Sequence, residues 1–176
     1  MVAYIVQQRK RSEQLRTRFG PEYERVVRET GSVAAAEARL HARQTRVERL
    51  HIHPLQPDDA ARFAAAWKNV QARFVDDPKG AVTEADRLVG ELMNARGYPV
   101  GEFDQQVDDI SVDHPSVVMN YRAARDIAQD HERGRATTED LRQAMVHYRA
   151  LFTELLETAA APSSDVESRP VAERRG

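Results

Sequence analysis

The fold class of this chain can be predicted from the stretch PDDAARFAAAWKNVQARFVDDP, residues 57–78. Its large apolar residues are Phe63, Trp67, Val70 and Phe74, and their steps of four, three and four place them on one face of a helix. The stretch opens with a proline and two aspartates, which suit the first turn of a helix. It closes before Pro78, because a residue that precedes proline resists the helical conformation. The pattern predicts an amphipathic helix with a buried face.

Further helical patterns follow this stretch and are separated by helix-ending residues. We expect a helix over about 79–96, ended by Gly97, and a short helix from Phe103 to near Ser111. The triplet Asp-His-Pro at 113–115 resembles a helix start with proline in the first turn, and that helix should end near Gly134. The final helix should begin at about residue 137. No strand pattern of useful length interrupts the series, so the sequence predicts an all-α protein with a compact helical bundle over residues 57–157.

The two ends of the chain have a different character. Residues 1–56 should form a basic helical arm or hairpin, packed against the bundle or projecting from it, with breaks at Gly20-Pro21 and Gly31. Val33, Leu40 and Val47 lie seven residues apart and define a narrow apolar seam, interrupted by Arg43, of the kind found in helical hairpins and coiled coils. Residues 158–176 lack periodicity and are expected to be a disordered tail.

Composition excludes several functions. The chain has 176 residues and no cysteine, so disulfides, thiolate metal sites and cysteine nucleophiles are ruled out. Its net charge of −2 and the scarcity of aromatic residues in the basic arm argue against nucleic-acid binding. Phosphate-binding glycine loops and nucleophile elbows are absent from the sequence. We therefore expect no cofactor.

The charge is concentrated in the first third of the chain, where residues 1–51 carry 11 Lys and Arg against 6 Asp and Glu. The densest basic group follows the apolar opening of residues 1–6 and comprises Arg9, Lys10, Arg11, Arg16 and Arg18. Six apolar residues are too few to span a bilayer, so the chain itself is expected to be soluble. The opening is either the first turn of an ordinary helix or the end of a membrane segment that lies outside this sequence. In the second case the basic group would be a cytoplasmic flank at the inner membrane face, in contact with anionic lipid.

Polar side chains within the predicted bundle offer a second kind of site. A small-molecule or catalytic pocket could be built from His114, Tyr121, His147 and Tyr148, near the aspartates at 108, 109 and 113. His51 and His53 could face the same side of an extended segment and share a metal, but no further ligand is placed by spacing, so we expect no metal site. The aromatic residues at helical spacing are expected to form the core.

Several strings, taken together, resemble a family of uncharacterised helical proteins from soil bacteria and actinobacteria. They are RSEQLR (11–16), RFGPEY (18–23), VQARFVDDP (70–78), RGYP (96–99), SVDHP (111–115) and TEDLRQAMVHYR (138–149). The resemblance covers about residues 9–157 and implies an all-helical domain, in relatives often preceded by a membrane segment. It implies no catalytic activity and no functional residues.

The sequence as a whole favours a non-enzymatic, cytoplasmic interaction domain with a protein partner, held at the inner membrane face through its arm. The alternatives are a ligand-binding or enzymatic bundle and a self-associating coiled-coil arm.

Overall fold

The computed structural model describes residues 2–160, and within that part the chain forms eight helices and no strand. The all-α prediction is confirmed. The helices are α1 (Val2–Phe19), α2 (Pro21–Thr30), α3 (Val33–Val47), α4 (Pro57–Arg73), α5 (Pro78–Ala95), α6 (Phe103–Asp113), α7 (Val118–Glu132) and α8 (Thr138–Ala160).

Most helix ends lie where the sequence places them, because local chemistry fixes them. The carboxylate of Asp77 accepts a hydrogen bond from the backbone N–H of Gly80 at 2.9 Å and caps α5. Gly97, at φ +93°, ends the same helix in a left-handed conformation. A Cβ at Gly97 would lie 2.2 Å from the backbone oxygen of His51, so the linker before α4 requires a glycine there.

The predicted helix start at residues 113–115 is wrong. Asp113 is the last residue of α6, and the N–H of His114 still donates to the carbonyl of Ile110 at 2.8 Å. The next helix begins only at Val118. Burial of Ile110 and Val112 on α6 carries that helix past the expected stop, while the Asp113 carboxylate accepts a bond from Tyr98 at 3.2 Å instead of capping α7. Tertiary packing here overrides a local signal.

Helices α4 to α8 share one hydrophobic core. In it, Trp67 of α4 stacks on Phe152 of α8 with ring centroids 4.7 Å apart. Helix α8 packs mainly on α7 and α5 and runs through Ala160, past the predicted boundary at residue 157. The part of the predicted tail from 161 to 176 lies outside the described residues.

Helices α1 to α3 enclose a second, smaller core. Phe19, Tyr23, Val26 and Leu40 are buried there together with Val112, which α6 contributes. Helix α3 packs on α2 and α6, so the predicted arm is joined to the bundle through α6. The described side chains that precede Ser12 in α1 are exposed, and this first half of the helix extends for about 15 Å at 1.5 Å per residue.

Candidate binding surface

The exposed half of α1 carries three adjacent basic side chains, Arg9, Lys10 and Arg11. None of them forms an ion pair with another residue of the described part, 2–160. Most arginines further along the chain pair with carboxylates, for example Arg62 with Asp59. The only acidic residue of α1 is Glu13, so the helix presents a positive surface that the other residues of the described part do not neutralise.

The other two basic residues of α1 anchor the helix. The guanidinium of Arg16 lies over the ring of Tyr23, 5.1 Å from its centroid. Arg18 donates from Nε to the carbonyl of Val112 at 3.3 Å, and its Nη2 lies 3.6 Å from the Asp113 carboxylate. The five basic residues singled out from the sequence thus divide into three without charge partners and two that attach α1 to its neighbours.

A groove of about 580 Å³ separates α1 from α3. Its α1 wall consists of residues that repeat at helical spacing, namely Arg11, Gln14, Leu15 and Arg18. Its α3 wall is formed in the same way by Glu37, Ala38, His41 and Gln44. The groove combines a half-buried leucine with exposed cationic side chains on its rim.

A buried ionic junction joins α2 and α3 to the bundle, and sequence reasoning missed it. Arg43, only 1% exposed, lies 2.9 Å from the carboxylate of Glu22 and 2.5 Å from that of Asp108. Arg122 of α7 also reaches Glu22, at 3.1 Å. Burial by itself would raise the pKa of Glu22, but hydrogen bonds from Arg25 and Arg43 outweigh it and hold that pKa below its ordinary value. The available signal was the position of Arg43 within the apolar seam, three residues after Leu40.

A second ion pair extends this junction. Arg46 of α3 lies 2.5 Å from the carboxylate of Asp109 on α6, and Gln105 donates to the same oxygen at 3.2 Å. Ser111 accepts a bond from Arg43 at 3.3 Å. The aspartates at 108 and 109 therefore hold the two cores together, and neither is directed at the histidines of the sequence-predicted pocket.

The two histidines of that predicted pocket have separate partners. His114 is buried, with Nδ1 3.1 Å from Oε1 of Glu154 and Nε2 3.5 Å from Nη1 of Arg96. His147 lies on α8 with Nδ1 2.9 Å from Oδ1 of Asn120 on α7. No contact links the two imidazoles among the described residues.

The two tyrosines of the predicted pocket lie close to each other. The hydroxyl of Tyr148 donates to Asp86 at 2.8 Å, and Arg125 donates to the other oxygen of the same carboxylate at 2.8 Å. The hydroxyl of Tyr121 donates to Gln106 at 3.2 Å. Burial first, and then the charge of Asp86, raises the pKa of both phenols above its ordinary value. These hydroxyls are protonated donors at neutral pH, and each serves to satisfy a polar partner in the core.

Within residues 2–160 no group of three or more histidine, aspartate or glutamate side chains could hold a metal ion. His51 and His53 are both exposed. No helix in that part of the chain is long and apolar enough to cross a bilayer. The side chains of the apolar opening, residues 1–6, lie outside those described. Comparison with protein-family models, curated proteins and solved structures found no match for this chain.

Proposed function

We propose that this chain is a non-enzymatic helical interaction domain that docks on an anionic membrane surface through α1. One observation carries the proposal: Arg9, Lys10 and Arg11 are exposed and have no charge partner among the described residues. Exposed cationic side chains without a carboxylate partner keep their full attraction for a negatively charged surface, whereas paired ones are largely neutralised. The cytoplasmic leaflet, which carries anionic lipid, is the surface that this chemistry fits.

The internal bonding of the bundle supports an interaction role over the enzymatic alternative. Three polar side chains are candidates for a catalytic role, and each lies within hydrogen-bond distance of another side chain. They are His114, His147 and Tyr148. A catalytic group needs an open face toward a substrate, and these groups direct their polar atoms at neighbouring helices. A protein partner or a second copy of the chain would then bind to the domain at the membrane.

The test is binding to lipid vesicles. Each basic group near an anionic surface contributes about 1 kcal/mol, so replacing three of them should weaken binding by about 3 kcal/mol, or roughly 150-fold. We expect the full chain to sediment with phosphatidylserine-containing vesicles and not with phosphatidylcholine alone. The triple variant R9Q/K10Q/R11Q should lose most of this binding, and added salt should weaken binding of the unmodified chain.

A matched control removes the same charge elsewhere. Arg28, Arg49 and Arg149 are also exposed and have no ion pair within the described residues, so R28Q/R49Q/R149Q changes the net charge equally. Its binding should stay close to that of the unmodified chain. Equal loss in both triple variants would show a non-specific charge effect, and equal binding to neutral and anionic vesicles would contradict the proposal. Light scattering on the full chain separates self-association from lipid binding.

A further inference from the structure

The groove between α1 and α3 has features that membrane docking does not use. Leu15 provides a half-buried apolar base, while Arg11, Arg18 and His41 are exposed around it. Arg11 and Arg18 are seven residues apart, two turns or about 10.5 Å along one face of α1. Arg18 remains 42% exposed in spite of its contact with Asp113, so part of its guanidinium is open to a second carboxylate. The groove suits a short segment that carries two acidic side chains.

The end of α6 lies between this groove and α8, the last described helix. Oε1 of Glu154 on α8 lies 3.1 Å from Nδ1 of His114. Asp113, which precedes His114 in the chain, has its carboxylate 3.6 Å from Nη2 of Arg18. Ala160 is six residues beyond Glu154, or about 9 Å further along the helix. The 16 residues from 161 to 176 could extend for about 53 Å. The chain beyond Ala160 is therefore long enough to return to α1.

The first half of that segment has the complementary charge. Residues 161–168 read APSSDVES and contain two acids, Asp165 and Glu167, and no basic residue. In an extended backbone two residues at this spacing point to the same side, about 7 Å apart. With the added reach of their side chains, such a pair matches the separation of Arg11 and Arg18.

We propose that residues 161–168 bind in the groove between α1 and α3 of the same chain, with Asp165 and Glu167 paired to Arg11 and Arg18. This contact goes beyond the proposed membrane docking and does not depend on it. It would cover Arg11, one of the three unpaired basic groups, so the segment and an anionic surface would compete for that side chain. The groove is then an internal docking site for the chain's own acidic segment.

Cross-linking of introduced cysteines tests the proposal, because the natural chain has none. In the full-length variant Ala38→Cys/Val166→Cys, a short bismaleimide should link the two thiols within one molecule. In the control Ala61→Cys/Val166→Cys, the first cysteine replaces an exposed alanine on α4. We expect the groove pair to link at least tenfold faster, with products separated by gel mobility and mass at low micromolar protein.

Charge reversal makes the test specific. Adding R11E/R18E, or adding D165R/E167R, should reduce the rate to that of the control pair, and combining all four changes should restore it. Circular dichroism checks that each variant keeps its helix content, and R11Q/R18Q provides a milder change at the same positions. Equal rates for the groove and control pairs would overturn the proposal. The proposal would also be overturned if the charge reversals left the cross-linking rate unchanged, or if every cross-linked product joined two separate chains.

Discussion

Replacing Arg43 by methionine should destabilise the protein by about 3 kcal/mol, because removing one partner of a buried ion pair leaves a buried charge uncompensated. Arg43 is 1% exposed and lies 2.9 Å from Glu22, which is fully buried. The usual cost of such a change is about 3–5 kcal/mol, and we expect the lower end. The reason is that Glu22 would keep Arg25 at 3.0 Å and Arg122 at 3.1 Å. Methionine fills much of the vacated volume, which limits any cavity.

The assay is urea unfolding followed by two signals. Circular dichroism reports all helices, whereas the only tryptophan, Trp67, lies in the core of the bundle and reports that part alone. With a denaturant slope of about 2 kcal/mol per molar, the R43M midpoint should fall by roughly 1.5 M. If α1–α3 unfold first in the variant, helix loss will precede the fluorescence change.

Two comparisons test the electrostatic cause. In R43M/D108N the carboxylate that lies nearest to Arg43 is neutralised as well, while Glu22 stays paired with Arg25 and Arg122, and stability should recover by at least about 1 kcal/mol relative to R43M. Arg62 is paired with Asp59 at the surface, and R62M should change stability by less than about 1 kcal/mol. A midpoint for R43M within error of the unmodified protein would refute the view that this junction carries the attachment of α2 and α3.

Two further predictions concern the bundle itself. Gly97→Ala should lower the free energy of unfolding in urea by about 3 kcal/mol, because the residue has φ +93° and a Cβ would lie 2.2 Å from a backbone oxygen. The control is Gly90→Ala inside α5, where a Cβ meets nothing within 4 Å. This change should be neutral or stabilising by up to about 1 kcal/mol. Stability should be insensitive to tyrosine ionisation below about pH 10 and fall above it, because a phenol whose pKa is raised in the folded state favours unfolding once the unfolded chain begins to ionise. Absorbance at 295 nm, compared between native and urea-unfolded protein, should show late titration of four buried tyrosines, Tyr23, Tyr98, Tyr121 and Tyr148. Titration of all four near pH 10 in the folded protein would contradict the prediction.

The candidate surface could be predicted only in part. The group of basic residues at the start of the chain is evident from the sequence, since charge density needs no structure. The sequence does not show which of these residues are available for binding a partner. Arg16 lies over Tyr23, and Arg18 donates to the carbonyl of Val112, which is far along the chain. The pocket expected from His114, Tyr121, His147 and Tyr148 was grouped from residue type alone, and the structure gives the two histidines separate partners.

The helical class and most helix ends follow from short-range features of the amino-acid sequence. Apolar periodicity, as in Phe63 and Trp67, involves residues only a few positions apart. The same is true of helix caps such as Asp77, so both can be recognised in the sequence. The end of α6 and the reason for Arg43 in an apolar seam become evident only from contacts in the folded chain. Arg43 meets Asp108 across 65 positions of sequence, and the free energy of a buried charge depends on partners that only the folded chain brings within reach.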